Sequence, residues 1–126
     1  MPLTIDHNMI AIKITDLKKY YKDTKAVNGL DLEVHQGEVF GLLGPNGAGK
    51  TTTVEIIEGL KKADSGQVYV NGVDVAKYPR EVKSQIGVQL QNTALYPGLT
   101  VRELIELFRS FFPGEVCDTG DLITTV

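Results

Sequence analysis

The sequence predicts an α/β fold, and two observations carry this prediction. Residues 44–51 match the phosphate-binding pattern G-x-x-x-x-G-K-[ST] at every fixed position, between a short apolar run and a stretch with helical periodicity. Elsewhere, segments in which apolar and polar residues alternate indicate antiparallel strands with one buried face. We therefore expect a partial P-loop NTPase core, a parallel sheet with flanking helices, together with an antiparallel β subdomain.

Alternating strands are predicted both before and after the loop. Residues 10–14 and 25–34 alternate apolar with polar side chains, and residues 67–70 form a similar short run. Asn71-Gly72 is a dipeptide typical of the tight turns that join two strands. The antiparallel subdomain is therefore expected at about residues 9–34 and 67–75.

The nucleotide core is expected at about residues 38–60 and 86–91. Residues 38–43 form an apolar run with β-branched and aromatic side chains, which predicts a buried strand. From Lys50 to Leu60, apolar residues recur three and four positions apart, as on a helix that packs against a sheet. Residues 86–88 predict a second core strand.

Two further helices follow from capping signals. Pro79 occupies a favoured first position of a helix that extends to Gln85. Thr100 and Glu103 have the spacing of a capping box ahead of an amphipathic stretch. We expect a helical region to begin there and to occupy about residues 99–126, although the pattern at residues 118–126 fits no single element.

Composition excludes several classes of protein. With 42% hydrophobic and 23% charged residues and a formal charge of −3, the chain is typical of about one globular domain and lacks the basic surface that nucleic acid requires. No run of 18 apolar residues predicts a membrane span, and the first residues lack the pattern of a signal peptide. The single cysteine, Cys117, is expected to be a spectator in a reducing compartment, so we expect a cytoplasmic location.

The loop pattern predicts a site for nucleotide phosphates. Its glycines permit backbone angles that let successive amides face one anion, and the helix that begins near Lys50 adds its positive end. Lys50 supplies a point charge for the β- and γ-phosphates, and the Thr51 hydroxyl supplies a ligand for Mg²⁺. The predicted nucleotide-binding residues of the loop are Gly44, Pro45, Asn46, Gly47, Ala48, Gly49, Lys50, Thr51 and Thr52.

Segments on both sides of the loop resemble one family. The segments are Tyr21, Ala26-Val27, the run from Gly37 to Thr53, Ser65-Gly66, Ile86-Gly87 and Gln91. Together they are similar to an ABC-transporter ATP-binding domain over about residues 8–112, and residues 95–103 resemble the multidrug or antibiotic exporter subfamily. The resemblance implies an ATPase that binds ATP and Mg²⁺ and lies at the inner face of the plasma membrane. It implies a transmembrane permease and a second ATP-binding domain as partners.

The resemblance also implies roles for residues outside the loop. Tyr21 falls where the family stacks an aromatic ring on adenine, and Val27 falls where the base or ribose is contacted. Gln91 falls on the glutamine that reaches Mg²⁺ and the attacking water, so Lys50 and Gln91 are the predicted catalytic residues and Thr51 and Gln91 the metal ligands. Tyr20 and Gln89 are weaker candidates for the aromatic and glutamine positions.

One departure and one interface also follow from the resemblance. Lys22 stands where family members usually have glycine, which changes the expected shape of the loop after Tyr21. The loop at residues 92–98, with Leu95 and Tyr96 at its apolar tip, is expected to face the coupling helix of the transmembrane partner.

Several motifs of the family have no counterpart in this sequence. There is no Asp-Glu pair after an apolar strand and no Leu-Ser-Gly-Gly-Gln signature, and Asp64-Ser65-Gly66-Gln67 lacks one glycine of that signature. His7 and His35 precede the loop, so neither matches the switch histidine, and both are expected to face solvent. We therefore expect residues 1–126 to be the N-terminal part of one ABC ATP-binding domain that binds ATP without turnover.

Two other classes of function remain open from the residues. A nucleotide kinase or a GTPase shares the phosphate loop, although residues 61–64 lack the asparagine of a guanine-reading motif. Nucleotide kinases also usually begin with the loop, whereas here the predicted strands that carry Tyr21 precede it. A non-catalytic regulatory module that only occupies a partner surface is the second alternative.

Overall fold

The computed structural model describes residues 8–89, 96–111 and 117–125, and the chain divides into two units after Ile86. The first unit contains β1 (Ile10–Tyr21), β2 (Thr24–His35), α1 (Lys50–Ile57), β3 (Ser65–Val70), β4 (Val73–Asp74) and α2 (Pro79–Gln85). The second unit contains α3 (Val101–Arg109) and α4 (Thr119–Thr125). The mixture of helices and an antiparallel sheet confirms the α/β class.

A four-stranded sheet in the order β2-β1-β3-β4 forms the centre of the first unit, and each neighbouring pair is antiparallel. The alternating segments predicted as antiparallel strands are therefore confirmed. Asn71 (φ 47°) and Gly72 (φ 78°) both take left-handed backbone angles between β3 and β4, as the dipeptide predicts.

The first strand is longer than its apolar pattern predicts. Alternation ends at Ile14, but β1 extends to Tyr21 through a segment rich in lysine and tyrosine. This segment pairs with β2 on one side, and Lys18 also pairs with Ser65 of β3 on the other. Acidic partners compensate the lysine charges, since Lys18 pairs with Asp16 and Lys19 with Asp64.

Helix α1 packs on one face of the sheet. Ile56 of α1 is buried among side chains from the strands and from α2, and Leu17 and Val82 are completely buried in the same cluster. Full burial of such an aliphatic side chain contributes about 1.5–3 kcal/mol. The core residues are Ile14, Leu17, Val27, Ile56, Val68, Val70, Val75 and Val82. Because α1 is anchored in this core, the end of the preceding loop that joins α1 is held in place.

Two predicted core strands do not form, and these predictions were wrong. Residues 38–43 and 86–88 join no ladder, and Val39 and Leu43 are 100% and 92% exposed. A buried parallel strand needs hydrogen-bonded neighbours and cover on both faces. Within the described part of the chain, no element supplies these to either segment, so their apolar side chains remain exposed.

The second unit consists of two short helices. The Thr100 hydroxyl accepts a hydrogen bond from the Glu103 amide (3.3 Å), and the Glu103 carboxylate accepts one from the Thr100 amide (2.8 Å), which confirms the capping box. The segment that the pattern left unassigned forms α4, whose first turn is capped by the Asp118 carboxylate. Pro113-Gly114, a dipeptide that predicts the end of α3, lies outside the described residues. Among the described residues, no helix has the length and apolar character needed to cross a membrane.

Candidate nucleotide-binding site

We call residues 44–51, which match the phosphate-binding pattern, the phosphate loop. This loop forms a turn that leads directly into α1. The Ala48 amide donates to the Pro45 carbonyl (3.2 Å), and Gly49 takes a left-handed angle (φ 84°) immediately before the helix. The Gly49 carbonyl then accepts hydrogen bonds from the amide (2.8 Å) and the hydroxyl (2.9 Å) of Thr53. The first turn of α1 is thus tied to the loop.

Thr53 is a structural residue of this site that the sequence did not single out. Its side chain is only 2% exposed, so its hydroxyl has to find a partner inside the protein. The sequence does contain a signal for this role. Gly49 immediately precedes the helix, and a threonine hydroxyl can donate a hydrogen bond to the carbonyl four residues earlier. Because residues 51–53 are three consecutive threonines, the sequence pattern alone does not distinguish the structural role of Thr53 from the roles of its two neighbours.

The loop lies directly against β2. A Cβ atom added to Gly49 would collide with the carbonyl oxygen of Ala26 and would lie 3.2 Å from Cγ2 of Val27. Space and backbone angle therefore both require glycine at this position. The contact fixes the start of α1 relative to the strand that carries Val27.

Lys50 turns its side chain back over the loop. Its ammonium donates to the carbonyl oxygens of Gly44 (2.5 Å) and Pro45 (2.7 Å). Both partners are neutral, so these two hydrogen bonds do not cancel the positive charge of the ammonium. Phosphate oxygens carry negative charge, so they attract an ammonium more strongly than neutral carbonyl oxygens do. The structure thus places a cation where an incoming phosphate can compete for it.

A cleft of about 310 Å³ opens beside the loop. Ala48, Lys50 and Thr53 line it on one side, and Val27 and Asn28 of β2 line it on another. The structure therefore brings together Val27 and Lys50, which the sequence separates by 23 positions. Val27 is also buried in the core, so the same side chain belongs to the hydrophobic core and to the wall of the cleft.

Tyr21 is not part of this cleft. It lies at the end of β1 and is 41% exposed, with the ammoniums of Lys19 and Lys61 at 5.6 and 5.5 Å from its ring centroid. The neighbouring Tyr20 donates its hydroxyl hydrogen to Asn28 Oδ1 (2.9 Å), and Asn28 lines the cleft. The structure thus surrounds Tyr21 with charged groups and connects Tyr20 to the cleft wall.

The turn between β1 and β2 shows the structural consequence of the lysine at position 22. This lysine takes a left-handed angle (φ 50°), which side chains other than glycine and asparagine rarely adopt. A glycine would take it without strain. The backbone of the turn therefore has the shape that glycine favours, and the lysine at this position adds conformational strain.

Two charged groups near Tyr21 have shifted pKa values. A hydrogen bond from Lys19 and a second from the Tyr20 amide lower the pKa of the Asp64 carboxyl. The Glu55 carboxylate, and after it Tyr21, raise the pKa of Lys61. Both groups remain accessible to solvent, so the shifts indicate pairing rather than burial.

The predicted metal and catalytic residues are only partly described. Thr51 is exposed on the first turn of α1, and a hydroxyl oxygen is a ligand type that Mg²⁺ accepts. Gln91 lies outside the described residues, as do Leu95 and His7. His35 is exposed beside Glu38, as expected. In the described ranges no three His, Cys, Asp or Glu side chains are grouped as a metal site.

Comparisons with known proteins agree on one family. The sequence model of the family described as ABC transporter matches residues 27–123. The daunorubicin resistance ATP-binding protein DrrA2 of Streptomyces coeruleorubidus is 45% identical over 102 residues, which are 81% of this chain and 32% of that protein. The Nod factor export ATP-binding protein I of Burkholderia orbicola is 42% identical over 101 residues, 80% of this chain and 33% of that protein.

A solved structure gives the same result for the fold. The chain superposes on a dimeric bacterial ABC transporter cassette with a TM-score of 0.71 and 28% identity, over 87% of this chain and 51% of that one. The chain spans about a third of the length of the curated relatives that it matches.

Proposed function

This chain belongs to the ABC transporter family, and we propose that it supplies the phosphate- and base-binding part of an ATP-binding subunit that drives export. In the intact subunit, MgATP binding and hydrolysis would be coupled to movement of a substrate through a membrane partner. The names of the relatives, which are resistance and export proteins, support the direction of transport.

The position of Lys50 is the observation that carries this proposal. Its ammonium lies over the loop, where the carbonyls of Gly44 and Pro45 accept its hydrogen bonds. A triphosphate that enters the cleft can take over these hydrogen bonds, while the amides of the loop and the positive end of α1 support the same anion. The contact between Gly49 and Ala26 keeps this arrangement in place without a ligand.

We assign Tyr21 as the residue that stacks on the nucleotide base, and Val27 as a residue that contacts the base or the ribose. An exposed phenol ring offers a stacking surface worth about 1–3 kcal/mol to a nucleobase. Tyr21 and Val27 lie on paired strands, since Lys19, two residues before Tyr21, is directly opposite Val27. A ligand held at Lys50 therefore has Val27 beside it and an aromatic ring near the end of the same strand pair.

Magnesium fits the donor chemistry at the start of α1. Thr51 would hold the ion through its hydroxyl oxygen, together with phosphate oxygens and water, and we assign Gln91 as a further oxygen ligand. The ion would supply charge neutralisation between the β- and γ-phosphates. The role of this chain is to present Lys50 and Thr51 in neighbouring positions on one helical turn.

We infer that this chain binds MgATP without multiple turnover. Phosphoryl transfer depends on groups that position the attacking water and stabilise charge. The sequence contains neither the Asp-Glu pair nor the Leu-Ser-Gly-Gly-Gln segment with which the family supplies these groups. ATP hydrolysis is accordingly assigned to the parent domain.

The proposed partners are a transmembrane permease subunit or domain and a second ATP-binding domain. The dimeric state of the solved cassette supports the second of these. Tyr96 is exposed, which suits the predicted contact with a coupling helix. We therefore place the protein in the cytoplasm, against the inner face of the plasma membrane. Membership of the family counts against the nucleotide kinase and GTPase alternatives.

Calorimetric titration of this chain with MgATP tests the proposal. Lys50→Ala should weaken binding about 10- to 100-fold, because it removes charge-assisted hydrogen bonds, and Tyr21→Ala about 5- to 100-fold, because it removes the stacking surface. Lys62→Ala and Tyr78→Ala remove exposed residues of the same types and serve as matched controls. Phosphate release in the same samples should be absent.

Three outcomes would contradict the proposal. Equal losses of MgATP affinity in the Lys50→Ala and Lys62→Ala variants would contradict the assignment of Lys50 to the phosphate site. Preference for MgGTP over MgATP in competition would remove the assignment of the base. Multiple-turnover phosphate release that depends on Lys50 would overturn the inference of binding without turnover.

A further inference from the structure

The environment of the Tyr21 ring is unusual for an exposed aromatic side chain. Two ammonium groups, those of Lys19 and Lys61, lie within 5.6 Å of the ring centroid. A cation at this distance is attracted to the electron density of the ring. The two lysines come from different places in the chain, one from β1 and the other from the turn after α1.

Both ammoniums are themselves held by carboxylates. Lys19 pairs with Asp64 at 2.8 Å, and its side chain is only 18% exposed. The other oxygen of Asp64 accepts a hydrogen bond from the Tyr20 amide (2.7 Å), which fixes the carboxylate to β1. Lys19 is therefore anchored on the strand that carries the ring.

Lys61 is anchored on α1 instead. Its ammonium lies 2.7 Å from Oε2 of Glu55, and its main-chain amide donates to the Glu55 carbonyl (3.1 Å). Glu55 Oε2 is buried and has no hydrogen bond of good geometry in the described structure, so the Lys61 ammonium is the charge that compensates it. An exposed lysine tail would move freely, but these two contacts hold Lys61 over the ring.

The consequence is a link between the two ends of the proposed site. Helix α1 begins at Lys50, the proposed phosphate-binding residue, and Glu55 lies five residues further along it. Through Lys61, the same helix restrains the aromatic ring at the end of β1. The distance between the phosphate site and the stacking surface is then set by one rigid helix and one ion pair.

We propose that Lys61 is a positioning residue for Tyr21: its ion pair with Glu55 of α1 holds the ammonium over the phenol ring and fixes the surface on which the nucleotide base stacks. This role rests on the proposed function, since it presumes that Tyr21 meets the base. Lys61 lies over the ring and is not among the residues that line the cleft beside the loop, so its contribution depends on the base of the ligand.

Comparison of two ligands separates base positioning from general charge. Magnesium tripolyphosphate presents the phosphates alone, whereas MgATP also presents the base. Lys61→Met should weaken MgATP binding about two- to fivefold, the size of an exposed cation–π contact, and should leave tripolyphosphate binding unchanged. Lys61→Arg should bind both ligands as the parent does, because a guanidinium can also pair with Glu55 and stack on the ring. Lys62→Met removes a neighbouring exposed lysine and should affect neither ligand.

A second measurement follows the ring without any ligand. The chain contains no tryptophan, so Tyr21→Trp introduces a single indole at the position of interest. In that background, Lys61→Met and Glu55→Gln should both lower the fluorescence anisotropy of the indole, because each releases the ring from the helix. Lys62→Met should leave the anisotropy unchanged.

The outcomes are distinguishable from failure of the proposed function. Equal weakening of both ligands by Lys61→Met, or unchanged MgATP affinity, would overturn the positioning role while leaving the nucleotide site intact. Unchanged anisotropy would overturn the contact itself. A parent chain that binds neither ligand would overturn the proposed function and the base-positioning role with it, and the anisotropy comparison would still decide whether Lys61 holds the ring.

Discussion

Gly49 of the phosphate loop lies directly against the carbonyl group of Ala26 in β2, so that a Cβ atom at Gly49 would be 3.1 Å from the Ala26 carbonyl carbon and would overlap its oxygen. This contact joins two segments that are distant in sequence. It sets the start of α1 against the edge strand of the sheet and so defines where Lys50 can reach.

Replacement of this glycine should separate steric from conformational effects. Gly49→Ala is expected to destabilise the chain by about 2–4 kcal/mol, because it combines a left-handed angle with a collision against backbone. Gly47 has a similar angle (φ 83°) but open space where a side chain would project, so Gly47→Ala should cost only about 1–2 kcal/mol. Urea unfolding of the two variants measures the difference. Equal destabilisation would mean that the loop moves away from β2 at no cost.

The two threonines at the start of α1 should respond differently to loss of their hydroxyls. Thr53→Val removes a hydrogen bond inside the protein and should lower the free energy of unfolding by about 0.5–1.5 kcal/mol, with little effect on the affinity for MgATP. Thr51→Val alters an exposed side chain and should change stability by less than about 0.5 kcal/mol, but it should weaken binding of MgATP. Thermal unfolding and calorimetric titration of both variants test this, and the reverse pattern would exchange their roles.

The strained turn residue offers a stabilising change. Lys22→Gly should raise the free energy of unfolding by up to about 1 kcal/mol, because glycine takes the left-handed angle without the strain that lysine carries, and its greater freedom when unfolded offsets only part of the gain. Lys25→Gly, in β2, is the matched control and should destabilise, since glycine weakens a strand. A lower melting temperature for Lys22→Gly would show that the lysine side chain contributes more than its backbone angle costs.

The ion pair between Lys19 and Asp64 gives a pH dependence with a defined sign. Since hydrogen bonds from Lys19 and the Tyr20 amide lower the pKa of Asp64 in the folded chain, its contribution to stability is complete above the ordinary aspartate pKa of about 3.9. That contribution is lost as the pH falls through the lower folded value. Asp64→Asn should therefore reduce stability at neutral pH and weaken the acid dependence below about pH 4.

The control for this titration is the partner of Asp64. Lys19→Met should weaken the acid dependence as Asp64→Asn does, because it removes the main hydrogen bond that lowers the pKa of the Asp64 carboxyl. Stability is followed by urea unfolding between about pH 3 and pH 7. Identical pH profiles for the Asp64→Asn variant and the parent would remove Asp64 from the acid-sensitive groups.

Local signals predicted the elements that local interactions form. The capping box at Thr100, the tight turn at Asn71-Gly72, the proline start of α2 and the alternating strands are all present. Each depends on contacts within a few residues or on a simple one-face-buried pattern. The resemblance to the ABC-transporter ATP-binding domain is confirmed by the family match over residues 27–123.

Signals that depend on distant partners were less informative. The apolar run at residues 38–43 has the composition of a buried strand, but a strand also needs neighbours, and composition does not say whether they are present. The segment that became α4 has weak periodicity, and contacts such as that of Arg109 with Thr119 select its conformation. The roles predicted for Tyr21, Val27, Thr51 and Gln91 stay predictions.

The sequence by itself determined the phosphate loop, the helix that follows it and the chemistry that the pair can offer, because glycine freedom, a lysine charge and a hydroxyl are properties of residues in order. Only the tertiary structure decided which distant residues meet. Gly49 lies against the carbonyl group of Ala26, and Val27 lines the same cleft as Lys50. The ammonium of Lys61 lies over the ring of Tyr21. These relationships join residues up to 40 positions apart, as between Tyr21 and Lys61. They exist because burial of Ile56 and its neighbours brings α1 onto the sheet, and no local pattern encodes which side chains then meet.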